Sequence, residues 1–135
     1  MKSVLITGAY GGMGYATVKR LKESGYQIFA LDLCVKESEE NVIPIKTDIT
    51  DIESVKNALN IVKSYTDNID YILHFAGIYN LNSLVEIPEN QFEKILNVNF
   101  TGAFYVNKTF CFIGAVIKMP VVRCKNCMVY ARVCK

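Results

Sequence analysis

VLITGAYGGMG, residues 4–14, runs from an apolar segment into four glycines within seven residues. Ser3 to Thr7 has the length and composition of a buried strand, Gly8 begins a tight turn, and a helix opens near Gly12. Glycines serve such a junction because the backbone must turn sharply and approach a pyrophosphate closely. The first free N–H groups of the helix then meet the negative charge. A glycine pattern alone is weak, and here the strand before it and the helix after it supply the context. Asp32 closes the next candidate strand, 18 residues beyond Gly14. A carboxylate there can accept both ribose hydroxyls of an adenosine and repels a 2′-phosphate, and none of Tyr10, Gly11, Leu33 and Cys34 offers that phosphate a cation. NAD is therefore expected as cofactor, with NADP the less favoured. The plainer alternative is a glycine-rich turn followed by a capping aspartate.

Outward from this stretch, short apolar runs alternate with segments of helical period. Candidate strands are Ser3–Thr7, Gln27–Leu31, Val42–Lys46 and Tyr71–Phe75, each suited to burial on both faces. Gly12 to Ser24 reads as a helix stopped by Gly25. Thr50 with Glu53 reads as a capping box for a helix whose Ile52, Val55, Leu59 and Val62 share a face. A third, long helix is predicted after Pro88, with Phe92, Leu96, Ala103, Val106 and Phe110 on one stripe. Asn99 falls in that stripe, and a buried amide without partners costs about 1–3 kcal/mol, so it should be hydrogen-bonded. The βαβαβαβα order implies a parallel sheet with right-handed crossovers and helices on both faces.

With 135 residues, half of them hydrophobic, the chain suffices for one domain with a sizeable core. MKSVLITGAY is too weakly apolar to read as a signal peptide, and FCFIGAVI, residues 110–117, is far short of the roughly 20 residues that cross a bilayer. A cytoplasmic protein without membrane association is the expectation. Charge is uneven. Residues 1–93 carry all 13 acidic groups and 8 of the 15 Lys and Arg, while residues 94–135 carry the other 7 cations and no acid. Cysteine is skewed likewise, with Cys34 alone and Cys111, Cys124, Cys127 and Cys134 toward the end. An odd count without a secretory signal favours reduced thiols.

Thr7, Gly8, Gly12 and Gly14 meet a TGxxxGxG pattern, followed by Asp32, by Asp48-Ile49 after the third strand, by Ala76-Gly77 after the fourth, and by Asn97 to Phe104, NVNFTGAF. In these five motifs, spread over about 110 residues, the chain resembles the short-chain dehydrogenases/reductases in their compact single-domain branch. The resemblance implies an α/β, Rossmann-type doubly wound parallel sheet, truncated after about four strands and the long helix. It implies an oxidoreductase that transfers hydride between a nicotinamide and a hydroxyl or carbonyl group, often paired through the long helix, here residues 89–112. Carried over residue by residue, it assigns cofactor contacts to Thr7, Gly8, Tyr10, Gly11, Gly12, Met13, Gly14, Asp32, Asp48, Ile49, Phe75, Ala76, Gly77 and Val98. Asn99 becomes the anchor of a water in a proton relay, and the alternative for it is a structural amide that kinks the helix. His74-Phe75-Ala76-Gly77 is closer to the extended branch of nucleotide-sugar epimerases and dehydratases, whose TGxxGxxG is also met by Gly8, Gly11 and Gly14. His74 itself reads as a packed, hydrogen-bonded strand-end residue or as a proton shuttle.

Hydride transfer at a carbonyl needs a proton donor or acceptor at the oxygen. In the resembling family that group is the tyrosine of a Tyr-x-x-x-Lys motif, aided by a serine, and both follow the long helix. This chain has no serine after Ser83, and Tyr130 is followed at the fourth position by Cys134. The one Tyr-x-x-x-Lys is Tyr15 with Lys19 on the first helix, a spacing common on helix surfaces. Cys124 and Cys127 have the spacing of half a zinc site, which Cys111 and Cys134 could complete, but no second close pair exists and no metal is assigned. A basic nucleic-acid contact lacks any recognisable module, and none is expected. Met119 to Val122 reads as a strand, with Pro120 confining it to the sheet edge or to the strand start. The chain is thus divided into a dinucleotide-binding part, residues 1–112, and a divergent basic, cysteine-rich tail, residues 113–135. The coincident changes near Cys111 to Lys118 suggest a departure from the family frame, which the coding DNA read in its other two frames beyond codon 110 decides. Such a chain is a dinucleotide-binding but catalytically incomplete protein, and it leaves the apolar side of Phe104, Phe110 and Phe112 open unless the tail or a partner covers it.

Overall fold

A computed structural model describes residues 1–83 and 85–113. Four apolar runs form β1 (Ser3–Thr7), β2 (Gln27–Asp32), β3 (Val42–Lys46) and β4 (Tyr71–His74), all parallel, in the order β3-β2-β1-β4. Thr7 stands level with Leu31 on one side and His74 on the other. Gly8, Asp32 and Phe75 therefore leave the sheet at the same edge, where the strand order reverses about β1. In open α/β sheets that reversal is the place where ligands bind.

Alternation along the strands sorts the core into two layers. Val4 and Ile6 with Ile28, Ala30 and Val42 meet Val18 of α1 (Gly12–Glu23). On the opposite face Leu5, Phe29, Leu31, Ile45 and Ile72 pack beneath Val55, Ala58 and Val62 of α2 (Ile52–Lys63) and beneath Val106 and Phe110 of α4 (Ala103–Phe110). Phe29 and Phe110 are fully buried, each a gain of roughly 1.5–3 kcal/mol over exposure. Among the described residues no helix is long and apolar enough to cross a membrane.

The structure departs from the sequence expectations in four places. The strand-helix alternation fails between β2 and β3, where residues 33–41 carry no helix. LCVKESEEN has no apolar stripe to bury, and the segment is held to α1 by a 2.6 Å Lys22–Glu39 ion pair and by Lys36 Nζ, 3.6 Å from the Tyr15 ring centroid. The cap of α2 is Asp51, whose carboxylate accepts from Glu53 N at 3.0 Å. Thr50 turns away, donating its hydroxyl and its N–H to Asp48 Oδ1. The long helix is three pieces: α3 (Glu89–Leu96), a π-helical turn (Asn97–Gly102) and α4, ending in a 3₁₀ turn (Cys111–Ile113). The wider i→i+5 turn rotates one half against the other, so the single stripe splits. Val106 and Phe110 are buried, whereas Phe92 and Leu96 stay 51% and 47% exposed. Lastly, Phe104 lies open at 53% but Phe110 does not, because it sits in the core layer under β1 and β2. Leu84 and residues 114–135 are outside the described residues, and with them Cys124, Cys127, Tyr130, Cys134 and the proposed edge strand.

Candidate functional site

The turn after β1 is built by two glycines for steric reasons. Gly8 has φ +64°, and a Cβ on it would stand 2.5 Å from Ala76 N and 2.7 Å from Ala76 Cα. A Cβ on Gly14 would lie 2.0 Å from Gly8 O, so the first turn of α1 rests on the loop itself. Both positions exclude any side chain. Gly12 differs, since a Cβ there would meet nothing within 4 Å. Gly11 caps the helix, donating its N–H to Gly8 O and accepting at 2.8 Å from Tyr15 N. That bond is the first of the helix, which leaves the N–H groups of Gly12, Met13 and Gly14 without intrahelical acceptors.

A cleft of about 370 Å³ opens along this edge, and ten residues singled out in the sequence line it: Gly8, Tyr10, Gly11, Asp32, Asp48, Ile49, Phe75, Ala76, Gly77 and Val98. Asp32 is held rather than loose, with Tyr10 N donating to Oδ2 at 2.9 Å and Cys34 N to Oδ1 at 3.4 Å. Each carboxylate oxygen keeps a further acceptor site. Thr7, Gly12, Met13 and Gly14 are not part of the lining. Thr7 is fully buried beneath it, Gly14 is buried under Gly8, and Met13 is 71% exposed on the first turn of α1. Leu31, Leu33, Cys34, Thr47, Thr50 and Ile78 line the cleft without having been singled out. Five of the six are immediate chain neighbours of residues that were, and Cys34 follows two positions after Asp32, so the position of each strand end was the signal that could have found them.

Asn99 lies in the π turn, where its amide leaves the apolar stripe. Nδ2 donates to Ile78 O and Oδ1 accepts from Ile78 N, both at 2.8 Å. Its polar atoms are satisfied by the segment that follows β4, and it does not itself line the cleft. His74 is likewise outside the lining. Its Nε2 is 2.9 Å from Asn107 Oδ1 and its Nδ1 3.4 Å from Thr7 Oγ1, which also accepts from Ala76 N. The arrangement fits a neutral ring that donates through Nε2 to the amide oxygen and accepts from the threonine hydroxyl. Burial pushes the imidazole below its ordinary pKa, a shift that the Asn107 bond partly opposes. Tyr10 is shifted upward, first by burial and then by the Glu39 and Asp32 carboxylates. Tyr15 and Lys19 sit on the outer side of α1, Lys19 Nζ 4.5 Å from the Tyr15 centroid, with Lys36 over the same ring. Among the described residues no cluster of three metal-ligating side chains exists.

Residues 2–113 match the family model described as short chain dehydrogenase. The 3-oxoacyl-[acyl-carrier-protein] reductase MabA of Mycobacterium tuberculosis is 30% identical over 105 residues, covering 78% of this chain and 42% of that protein. The 3-oxoacyl-[acyl-carrier-protein] reductase FabG of Thermotoga maritima is 32% identical over 117 residues, covering 79% and 48%. Among solved structures, ElxO with NADP bound superposes with a TM-score of 0.72 at 28% identity, over 80% of this chain and 48% of that one. The chain thus spans less than half the length of these relatives.

The His74 geometry carries a pH dependence. A folded-state pKa below the unfolded value of about 6.5 means that the unfolded chain takes up the proton first. The native state then loses stability as pH falls below about 6.5, by at most about 1.4 kcal/mol per pH unit from this one group. Thermal scans between pH 7.5 and 5 are expected to show a falling Tm in the wild type and a flatter profile in His74→Asn, which puts a non-titrating amide in place of the ring. Equal slopes in the two proteins would contradict the assignment of a neutral, part-buried ring.

Proposed function

Because the chain belongs to the short-chain dehydrogenase family, we propose that residues 1–112 bind a nicotinamide dinucleotide in the cleft at the β1 edge. They form the cofactor part of an oxidoreductase acting on a hydroxyl or carbonyl substrate. The observation that carries this reading is the meeting of Gly8, Gly11 and Asp32 in one cleft beside three helix N–H groups that have no intrahelical acceptor. The residues fit the group. The amides of Gly12, Met13 and Gly14 are suited to its pyrophosphate, Asp32 to ribose hydroxyls, and Asp48 with Ile49 to the adenine. Phe75, Ala76, Gly77 and Val98 serve the remainder. When bound, the nicotinamide supplies or accepts the hydride.

NAD is proposed over NADP because a carboxylate at Asp32 would accept ribose hydroxyls and repel a 2′-phosphate, and the nearby Lys36 ammonium lies over the Tyr15 ring. These 135 residues are further proposed to be catalytically incomplete. There is no serine after Ser83 to polarise a carbonyl, and the one Tyr-x-x-x-Lys pair, Tyr15 and Lys19, lies on α1 among cation-aromatic contacts. Asn99 keeps the role of a relay anchor only as a proposal, since its amide is already bonded at both ends to Ile78. The division into residues 1–112 and a tail from residue 113 belongs to the same proposal, although Ile113 itself packs in the core beside Phe110, and so does a cytoplasmic location.

Calorimetric titration is expected to show NADH bound at least about tenfold more tightly than NADPH. Asp32→Ala should weaken NADH by about tenfold or more and close that gap, because charge-assisted hydrogen bonds are worth about 1.5–3 kcal/mol. Equal binding of both cofactors by the wild type would overturn the preference. Turnover of any alcohol or ketone by the purified chain would overturn the incompleteness.

Self-association through residues 89–112 is also proposed. Phe92, Leu96, Phe100 and Phe104 follow one another at intervals of four and are 51%, 47%, 63% and 53% exposed. Four large exposed side chains along one stretch of helix are a costly surface for a monomer. Sedimentation should find a dimer or larger species that Phe100→Glu shifts toward monomer. A monomeric wild type with a sharp thermal transition would argue against it.

A further inference from the structure

We propose that the π turn Asn97–Gly102 is a clasp that sets the width of the cleft, with Gly102 as a positioning residue that seats Ile49 in the opposite wall. The proposal rests on the dinucleotide-binding reading given above. The two walls come from different parts of the chain. One is the segment Ala76 to Ile78 after β4; the other is the turn from Asp48 to Thr50 after β3. The π turn touches both. Asn99 grips Ile78 through paired 2.8 Å hydrogen bonds, and Val98 lines the cleft between the walls. Gly102 is buried against Ile49 so closely that a Cβ on it would lie 2.6 Å from Ile49 Cδ1, 2.7 Å from Cγ1 and 3.3 Å from Cβ.

The Ile49 backbone cannot readily retreat. Its turn is tied by Thr50 N and Oγ1 to Asp48 Oδ1 at 2.9 and 2.7 Å, and by Asp48 N to Ser54 Oγ on α2 at 3.0 Å. Ordinary carbon contacts lie near 3.5–4.0 Å, so one added methyl requires a shift of roughly 1 Å. With α4 anchored in the core through Val106 and Phe110, that shift falls on the Ile49 side chain, which already borders the cleft. The wider π turn is what lets Val98, Asn99 and Gly102 address the cleft and both its walls from one piece of helix.

NADH affinity of the full chain tests this by a double-mutant cycle. Gly102→Ala is expected to weaken NADH binding about tenfold in the wild-type background, in line with the penalty for overpacking. In the Ile49→Ala background, where Cδ1 and Cγ1 are gone and only the 3.3 Å approach to Cβ remains, the same methyl should cost less than about twofold. A folded Gly102→Ala protein that binds NADH as the wild type does would overturn the proposal, as would equal losses in the two backgrounds. If Gly102→Ala does not fold, the Gly102→Ala/Ile49→Ala pair is read instead. It must fold and bind within about twofold of Ile49→Ala alone, and failure on either count also overturns the clasp. Absence of NADH binding by the wild type would instead sink the dinucleotide reading itself, so the two failures are distinguishable.

Discussion

Backbone meets backbone at the top of β1, and the rest of the molecule is arranged around that contact. Gly8 lies so near Ala76 that no side chain fits between them, and Gly14 lies so near Gly8 that α1 must start where it does. Contacts this tight fix three things together. The exit of β1, the exit of β4 and the N-terminus of α1 cannot move independently, so the free helix amides and the edge of the sheet hold one geometry. The parallel register carries it sideways to Asp32, whose carboxylate is then locked by Tyr10 N. Preorganisation of this kind reduces the ordering cost that a ligand would otherwise meet on binding.

A second layer of constraint is polar. Thr7, His74, Ala76 and Asn107 are joined by hydrogen bonds that run from β1 through β4 to α4. The Asn99–Ile78 pair runs from the π turn to the same strand end. Removing one partner from such a chain leaves the other unsatisfied, which costs more than the bond contributed. The two polar links thus bind β4 to α4 and the segment after β4 to the π turn, where hydrophobic packing alone would tolerate some sliding.

Strands were legible in the sequence because each is a short apolar run between turn residues, and the observed bounds differ by one residue at Asp32 and at Phe75. The glycine turn was legible because Gly8 and Gly14 are required by sterics that only glycine satisfies. The β2–β3 connection breaks the strand-helix alternation because LCVKESEEN has no apolar stripe to bury. Thr50 and Asp51 are both good caps, and only the competing bonds of Thr50 to Asp48 decide for Asp51. The π turn was hidden because a stripe counted at regular helical spacing presumes a uniform helix, and one wider turn moves Phe92 and Leu96 off the face of Val106 and Phe110. Cleft residues were found where a motif names them, and missed where they are only the chain neighbours of a motif, as with Thr47 beside Asp48 and Ile78 beside Gly77.

The central claim, that a dinucleotide lies along the β1 edge, is tested most directly by amide-resolved NMR of the chain titrated with NADH. The account predicts the largest shift changes at Gly11 to Gly14, Asp32, Ile49 and Ala76 to Ile78, with α2 and the outer side of α1 nearly silent. Saturable changes confined to other surfaces, or none at those amides at millimolar NADH, would contradict it.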